Sequence, residues 1–113
     1  MSDCLFCKIA AGEIPSTCLK DDENVFAFRD INPQAPTHFL VIPKEHISSV
    51  ADVNALNSAA VAKCFEAIAE LAKSEGLENG YRVISNCGRD GAQSVEHLHV
   101  HLLGGTALTE RMA

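Results

Sequence analysis

The sequence predicts an α+β fold, in which a mainly antiparallel sheet of about five strands carries one long and one short helix. Two observations lead to this prediction. Apolar residues recur at helical spacing through Asn54–Ser74, which is typical of an amphipathic helix. Short apolar or alternating runs, bounded by polar or proline-containing turns, supply strands on both sides of it. With 113 residues, we expect a single domain over residues 1–113 that is built around one core.

The short helix is predicted at the N-terminus. Apolar residues in Cys4–Ala11 recur at helical spacing, and Gly12 follows them as a stop. Ser2 or Asp3 is the candidate N-cap, because both residue types accept hydrogen bonds from the first turn.

Three strands are predicted next. Leu19–Asp21 and Val25–Asp30 flank a polar turn, which indicates a hairpin. A proline-containing turn follows, and then Phe39–Ile42, a continuous apolar run ended by Pro43. Such a run is typical of a central strand that is buried on both faces.

The long helix is predicted over Asn54–Ser74, with Gly76 as its terminator. Its buried face should carry Leu56, Ala60, Cys64, Ala67 and Leu71. A second, alanine-rich face could pack closely against another copy of the chain, through Ala55, Ala59, Ala62 and Ala69. Tyr81–Asn86 and a histidine-rich strand complete the predicted sheet.

That last strand contains the most informative segment, His97-Leu98-His99-Val100-His101, with three of the five histidines at alternate positions. In extended chain the three imidazoles would line one face, and the apolar residues between them the other. Such a row indicates metal ligation or phosphate chemistry, and the spacing alone does not separate the two. An edge strand with a histidine-rich polar face is the structural alternative.

Charge and composition exclude some partners. The net charge of −6 argues against a nucleic acid polymer, which requires clustered lysine and arginine. No segment approaches the ~20 apolar residues of a membrane span, and no signal peptide is recognisable, so we expect no membrane contact and a cytoplasmic location. Five cysteines in such a chain predict reduced thiols rather than a disulfide framework.

Taken together, the motifs resemble the histidine triad (HIT) superfamily. His97–Leu103 has the pattern His-x-His-x-His-x-x, in which each x is apolar. Further segments resemble, in the same order, the branch of histidine triad nucleotide-binding proteins: Asp30–His38, Val41–Lys44, Asn86–Gly91, Gln93–Val95 and Gly104–Gly105. The resemblance implies a HIT-like fold and a purine nucleoside phosphoramidase or nucleotidyl hydrolase. Its ligands would be purine nucleoside monophosphates and their phosphoramidates.

The resemblance also implies roles for individual residues. His99 would be the nucleophile that forms a covalent nucleotidyl-histidine intermediate. His101 and His38 would support it at the phosphate, and Ser94 would help to protonate the amine leaving group. Asp30 would accept hydrogen bonds from the ribose hydroxyls. The implied nucleotide contacts are Asp30, Ile31, Asn86, Gln93, Ser94, His99 and His101.

Cys4-Leu5-Phe6-Cys7 places two thiols one helical turn apart. The spacing suits either half of a tetrahedral zinc site or a redox pair, but the redox interpretation calls for a βαβ context that this sequence lacks. Resemblance to a zinc-containing subset of the branch implies His46 and His97 as the other two ligands. The zinc would then be structural, His97 would be a ligand rather than a catalyst, and the protein would be a homodimer.

The chain departs from the family pattern at two places. Thr106 follows Gly105, where many members carry arginine and then a tryptophan-containing tail that reaches the partner's site. The leaving-group preference is therefore open. Ala92 replaces a glycine that is common in the phosphate-contacting loop.

Two alternatives to the phosphoramidase remain. A diadenosine polyphosphate hydrolase would use the same intermediate with a different leaving group. A nucleotide- and zinc-binding interaction protein would have only vestigial catalysis. The presence of His99, His101 and Ser94 favours an enzyme.

Overall fold

The computed structural model describes residues 4–111. Its elements are α1 (Leu5–Ala10), β1 (Cys18–Asp21), β2 (Val25–Arg29), β3 (Thr37–Pro43), a short 3₁₀ helix (Val50–Asp52), α2 (Ser58–Ser74), β4 (Tyr81–Ile84) and β5 (Val100–Gly104). The strands form one sheet in the order β1-β2-β3-β5-β4, and every neighbouring pair is antiparallel. The predicted α+β class, the five-stranded antiparallel sheet and the two helices are confirmed.

Strand β3 is central, and its side chains are buried on both faces, as the apolar run predicts. Phe39 and Val41 belong to the core cluster that includes the buried face of α2. Leu40 and Ile42 point to the opposite face and pack with Phe6 of α1. The sheet is therefore covered by α2 on one face and by α1 on the other, because successive side chains of a strand alternate.

Helix α2 begins at Ser58, four residues later than predicted. The side chain of Asn54 accepts hydrogen bonds from the backbone N–H groups of Leu56 and Asn57, which holds this segment in a turn. Leu56 is consequently 96% exposed, and its predicted place in the core is wrong. Within residues 4–111, no helix is both long and apolar enough to cross a lipid bilayer.

The N-cap of α1 is Cys4, whose Sγ accepts a hydrogen bond from the backbone N–H of Cys7 at 3.4 Å. The predicted caps, Ser2 and Asp3, lie outside the described residues. The first turn of α1 therefore holds the two sulfur atoms close together.

The histidine-rich strand is shorter than predicted, since β5 begins only at Val100. The backbone N–H of His97 bonds to the carbonyl of Val95, and that of Leu98 to the carbonyl of Ile47, outside the strand ladder. The alternation of side chains nevertheless persists. Leu98, Val100 and Leu102 lie in the core cluster on the α2 side, whereas the rings of His97 and His99 contact Phe6 on the α1 side.

Candidate active site and metal centre

The four predicted metal ligands converge where α1 meets the start of the histidine segment. Sγ of Cys4 lies 3.3 Å from Nδ1 of His97, and Sγ of Cys7 lies 3.4 Å from Nδ1 of His46. The Nδ1 atoms of the two histidines are 3.2 Å apart. Ligand atoms around a tetrahedral zinc, at about 2.0–2.3 Å from it, are separated by about 3.3–3.8 Å. The residues present therefore fit zinc.

The orientation of His97 suits a ligand. Its Nε2 lies 2.8 Å from the carbonyl oxygen of Pro43, so Nε2 carries the proton and donates it there. The unprotonated Nδ1 then faces the two sulfur atoms, which is the usual arrangement of a histidine ligand and its outer hydrogen bond. Burial lowers the pKa of His97, which keeps the ring neutral.

The two thiols are unfavourable neighbours as anions. Burial, followed by the nearby Cys4, raises the pKa of Cys7. A divalent cation between the sulfur atoms would offset the repulsion between two thiolates, which is a further reason why this donor set suits a metal ion.

His99, the predicted nucleophile, is nearly fully buried, at 3% exposure. Its Nδ1 lies 2.7 Å from the carbonyl oxygen of His97, which fixes the proton on Nδ1. Nε2 is thus the nitrogen with the free lone pair, the form that can attack an electrophile. The ring is held by edge contacts with Phe6 and His101, at centroid distances of 5.0 and 5.2 Å.

His101 and His38 form a hydrogen-bonded pair with defined tautomers. The backbone N–H of Gln34 donates to Nδ1 of His38 at 3.0 Å, so the proton of His38 is on Nε2. That Nε2 is 3.0 Å from Nδ1 of His101 and 3.4 Å from Oδ2 of Asp30. His101 therefore accepts at Nδ1, and its own proton lies on Nε2, where it can be donated to an anionic oxygen.

The environment keeps His101 neutral. Burial, with smaller contributions from His99 and His38, lowers the pKa of His101 to about 4, although Asp30 acts in the opposite direction. At neutral pH this residue is a hydrogen-bond donor rather than a cation.

This shift predicts a pH dependence of stability. Because the pKa of His101 falls from 6.5 when unfolded to about 4 when folded, the unfolded state takes up a proton first as the pH drops. Between about pH 6.5 and pH 4, the folded protein should lose up to about 2 kcal/mol of stability relative to a His101→Asn variant, after allowance for partial solvent screening. Denaturant titrations of both proteins at several pH values measure this difference. Any loss of metal at low pH affects both proteins alike, and a difference that does not change with pH would contradict the prediction.

A pocket of about 370 Å³ lies beside His38 and His101. Asn86, a nucleotide contact implied by the family resemblance, also lines it. The sequence did not point to Arg82, Leu108, Thr109 or Arg111, which line the same pocket. Strand alternation alone places Arg82 on the same face of β4 as Ile84. The register that sets Arg82 opposite Leu103 on β5, and Leu103 opposite His38 on β3, is decided by the tertiary structure.

The loop before the histidines is held by its own side chains. Nδ2 of Asn86 donates to the carbonyl of Gly91 at 2.8 Å. Oε1 of Gln93 accepts from the backbone N–H of Gly88, and its Nε2 donates to the carbonyls of Ser48 and Val95. Both ends of the Gln93 amide are thus committed to the backbone, and this side chain organises the loop.

Two predicted site residues lie away from the histidine pocket. Ser94 is exposed and lines a different surface pocket, together with Cys4 and His46. Ile31 is 90% exposed in the turn that follows Asp30. The structure therefore brings His38, His101, Asp30 and Asn86 together, but leaves these two at the surface of the chain.

Comparison with known proteins places these features in a family. The model of the HIT domain matches residues 11–108. The purine nucleoside phosphoramidase of Escherichia coli (strain K12) is 47% identical over 110 residues, which cover 96% of this chain and 92% of that protein. A 14 kDa zinc-binding protein of Zea mays is 50% identical over 106 residues, which cover 92% of this chain and 83% of that protein. The solved structure of a HIT family hydrolase from Clostridium thermocellum has a TM-score of 0.96 and 45% identity, and covers 100% of this chain and 99% of that one.

Proposed function

This chain belongs to the HIT domain family, and on that premise we propose that it is a purine nucleoside phosphoramidase that works through a nucleotidyl-His99 intermediate. One observation carries the proposal. The contact between Nδ1 of His99 and the carbonyl of His97 leaves Nε2 unprotonated and fixed in orientation. The printed activity of the relative from Escherichia coli supports the choice of substrate.

The reaction has two steps. Nε2 of His99 attacks phosphorus with its lone pair, the P–N bond breaks, and the amine departs with the bonding pair and takes up a proton. Water then attacks the same phosphorus and releases one proton, which balances the proton taken up by the amine; the bond to Nε2 breaks, and the nucleoside monophosphate is released with His99 restored. The imidazole thus divides one difficult displacement into two easier ones.

His101 stabilises the charge that develops on the phosphate oxygens. Its Nε2–H is the available donor, because Nδ1 already accepts from His38. His38 is in turn held by the backbone N–H of Gln34 and by Asp30. Donors that are oriented before the reaction stabilise the transition state more than mobile ones, since they need not reorganise.

The nucleoside lies on the side of Asp30 and Ile31 in this proposal. Oδ1 of Asp30 accepts a hydrogen bond from the backbone N–H of Asn32, and the carboxylate retains further acceptor sites for ribose hydroxyls. Ile31 is almost fully exposed, so a purine that covers it would remove apolar surface from water.

Ser94 and the loop around Gln93 complete the proposed site. Ser94 would donate a hydrogen bond to the departing amine, a role for which its hydroxyl is suited and which requires substrate to approach an exposed residue. Gln93 would contact the nucleotide through the loop that it braces, because its amide is already hydrogen-bonded to three backbone groups.

A substitution at Gly91 tests the importance of this loop. An added Cβ would lie 2.4 Å from the carbonyl oxygen of Cys87, so the turn must shift and move the carbonyl that anchors Asn86. We expect Gly91→Ala to cost about 1–3 kcal/mol of stability and to weaken adenosine monophosphate binding, as measured by calorimetry. Ala92→Gly is the control, since Ala92 has a φ of 62°, which glycine adopts without strain. Equal affinities for the two variants would contradict the proposed loop contact.

Zinc at Cys4, Cys7, His46 and His97 would be structural. Four protein ligands close a tetrahedral site and leave no position for water or substrate. The ion would tie α1 to the segment that carries His99. The zinc-binding relative from Zea mays supports this assignment, and the reduced thiols that it requires favour a cytoplasmic location.

We further propose a homodimer that forms through the β4 edge of the sheet rather than through the alanine-rich face of the long helix, since Ala55 of that face lies before α2 begins at Ser58. Strand β4 is at the edge, and its Tyr81 and Val83 are exposed large apolar residues. Edge strands of this kind pair readily with another chain. Sedimentation at micromolar concentration should give a dimer for the parent and for the control Val50→Lys, but a monomer for Val83→Lys. A monomeric parent would contradict the proposal.

Substrate comparison decides between the phosphoramidase and its alternatives. Parent protein should hydrolyse adenosine 5′-phosphoramidate with a higher kcat/KM than diadenosine polyphosphates. The opposite order would favour the polyphosphate hydrolase. Nucleotide binding with no turnover of either substrate would favour an interaction protein.

A further inference from the structure

The four ligands of the candidate metal centre differ in how firmly the protein holds them. His97 is fully buried, and its Nε2 donates to the carbonyl oxygen of Pro43. Cys4 and Cys7 are partly buried, and the first turn of α1 positions both sulfur atoms. His46, in contrast, is exposed, on the segment between β3 and the 3₁₀ helix.

The ring of His46 also lacks outer support from the protein. Its Nδ1 lies within hydrogen-bonding distance of Sγ of Cys7 and Nδ1 of His97, but its Nε2 has no such partner among residues 4–111. A ligating histidine is usually held in orientation by a hydrogen bond from its second ring nitrogen. The carbonyl of Pro43 serves His97 in this way, and solvent is the remaining partner for His46. His46 is thus the ligand that can turn away from an ion at least cost.

A surface pocket of about 470 Å³ opens onto this exposed side of the centre. Its lining comprises two of the candidate ligands and four further residues: Cys4, His46, Leu5, Ser94, Val95 and Glu96. We call it the metal-side pocket. It shares no lining residue with the pocket beside His38 and His101. The metal-side pocket therefore gives solvent its own access to two of the four ligands.

Glu96 gives the metal-side pocket a negative charge. Its carboxylate forms no ion pair with any residue in the range 4–111, and neither lysine nor arginine belongs to the lining. A charge of this kind attracts a hydrated divalent cation over roughly the Debye length, about 10 Å at 0.1 M salt. The pocket thus favours the approach of a cation over that of an anion.

We propose that the zinc ion enters and leaves its site through the metal-side pocket, where Glu96 attracts the hydrated cation and His46 is the ligand that opens and closes. This inference rests on the proposed zinc centre. It makes that centre exchangeable with the surrounding solution, although four ligands close it when it is filled. Cys4, Cys7 and His97 keep their positions during exchange. The attachment of α1 to the histidine segment therefore follows the supply of available zinc.

Leu5 tests the route, because it lines the metal-side pocket and is not a candidate ligand. Two rates are measured: zinc uptake by the metal-free full chain, and zinc transfer from the loaded chain to a chromogenic chelator. The proteins are the parent, Leu5→Trp, Leu5→Ala and the control Leu56→Trp. Leu56 is suitable as a control because it is 96% exposed and lies outside this pocket.

We expect Leu5→Trp to slow uptake and release severalfold, Leu5→Ala to speed both, and Leu56→Trp to leave both at the parental values. A bulkier side chain narrows the route and a smaller one widens it. Because the ion takes the same route in both directions, the two rates should change by the same factor, so that the Kd for zinc is unchanged. A substitution that only disturbed the structure of the centre would change the Kd instead.

Glu96→Gln tests the attraction of the cation, and it does so even if Leu5→Trp does not fold. At low ionic strength it should slow zinc uptake by about threefold or more, because a unit charge that faces the route is lost. The difference from the parent should shrink as salt is added. Glu78→Gln is the control, since it changes the net charge equally at an exposed residue outside the pocket.

The contrary results are distinguishable. If zinc binds but both Leu5 variants exchange it at the parental rates, or change only its Kd, the ion uses another route and the inference is overturned, while the zinc centre stands. Equal uptake rates in Glu96→Gln and Glu78→Gln would likewise overturn the role of Glu96. If the parent binds no zinc, the proposed centre itself fails, and the inference fails with it.

Discussion

Replacing His99 with asparagine should lower the turnover of adenosine 5′-phosphoramidate by roughly three orders of magnitude or more, with nucleotide affinity within about 1–2 kcal/mol of the parent. Asparagine can still donate a hydrogen bond to the carbonyl of His97, which His99 contacts at 2.7 Å. It has no unprotonated ring nitrogen to attack phosphorus. The substitution should therefore reduce stabilisation of the transition state and leave nucleotide binding nearly unchanged.

Two measurements make this result specific. Rapid quench of the parent into alkali, in which a P–N bond to histidine survives, should trap a nucleotidyl group on the peptide that contains His99, and the variant should show none. His101→Asn is the matched control, because it removes an N–H donor to the phosphate but keeps the nucleophile. It should reduce turnover less and should still form the adduct. Comparable turnover in His99→Asn, or an adduct on another histidine, would remove the mechanism.

Changing Cys4 and Cys7 together to serine should abolish zinc binding and lower the melting temperature, yet leave substantial activity at low temperature. The two sulfur atoms supply half of the candidate ligand set, and with His46 and His97 they link α1 to the histidine segment. Each kcal/mol of stability that is lost should lower the Tm by about 4 °C in a domain of this size. The hydrogen bond from His97 to Pro43 remains to support the neighbouring backbone.

Cys18→Ser with Cys87→Ser is the control for this experiment, since both cysteines are free and exposed. That variant should keep its zinc and its melting temperature. Metal analysis of protein purified without a chelator or an affinity tag tests the site itself. If no zinc is found, and added zinc neither binds tightly nor raises the Tm, the site does not exist. If folded, zinc-free protein loses activity in proportion to the metal removed, the metal is catalytic and His97 is wrongly assigned.

Local patterns of apolar and polar residues in the sequence were enough to predict most of the fold. The apolar run Phe39–Ile42 identified the central strand, because a strand without polar side chains must be buried on both faces. The alternation of His99 and His101 with Val100 and Leu102 predicted which side chains share a face. These features depend on the geometry of the backbone over a few residues, which is the same wherever the segment lies in the molecule.

Boundaries and exposure were harder to predict, because they depend on competing hydrogen bonds. The apolar periodicity around Leu56 does not show that the side chain of Asn54 accepts hydrogen bonds from two backbone N–H groups. These hydrogen bonds hold a turn, so that the helix begins only at Ser58. Similarly, the spacing of the histidines does not show that Leu98 bonds to Ile47 and so lies outside the ladder. In both places a specific hydrogen bond to another group replaces the backbone hydrogen bond of the regular helix or strand.

The sequence by itself determined the family, the residues available for chemistry and the face on which each one lies. Only the tertiary structure decided which of them meet. It brings Sγ of Cys4 to 3.3 Å from Nδ1 of His97, although 93 positions separate the two residues in the chain. It also uses the side-chain amide of Gln93 in hydrogen bonds to the backbone. It also places Arg82 beside the pocket of His101 and leaves Ser94 at the surface. The reason is physical: periodicity specifies direction within an element, whereas distances between elements depend on how the sheet pairs and how the core packs.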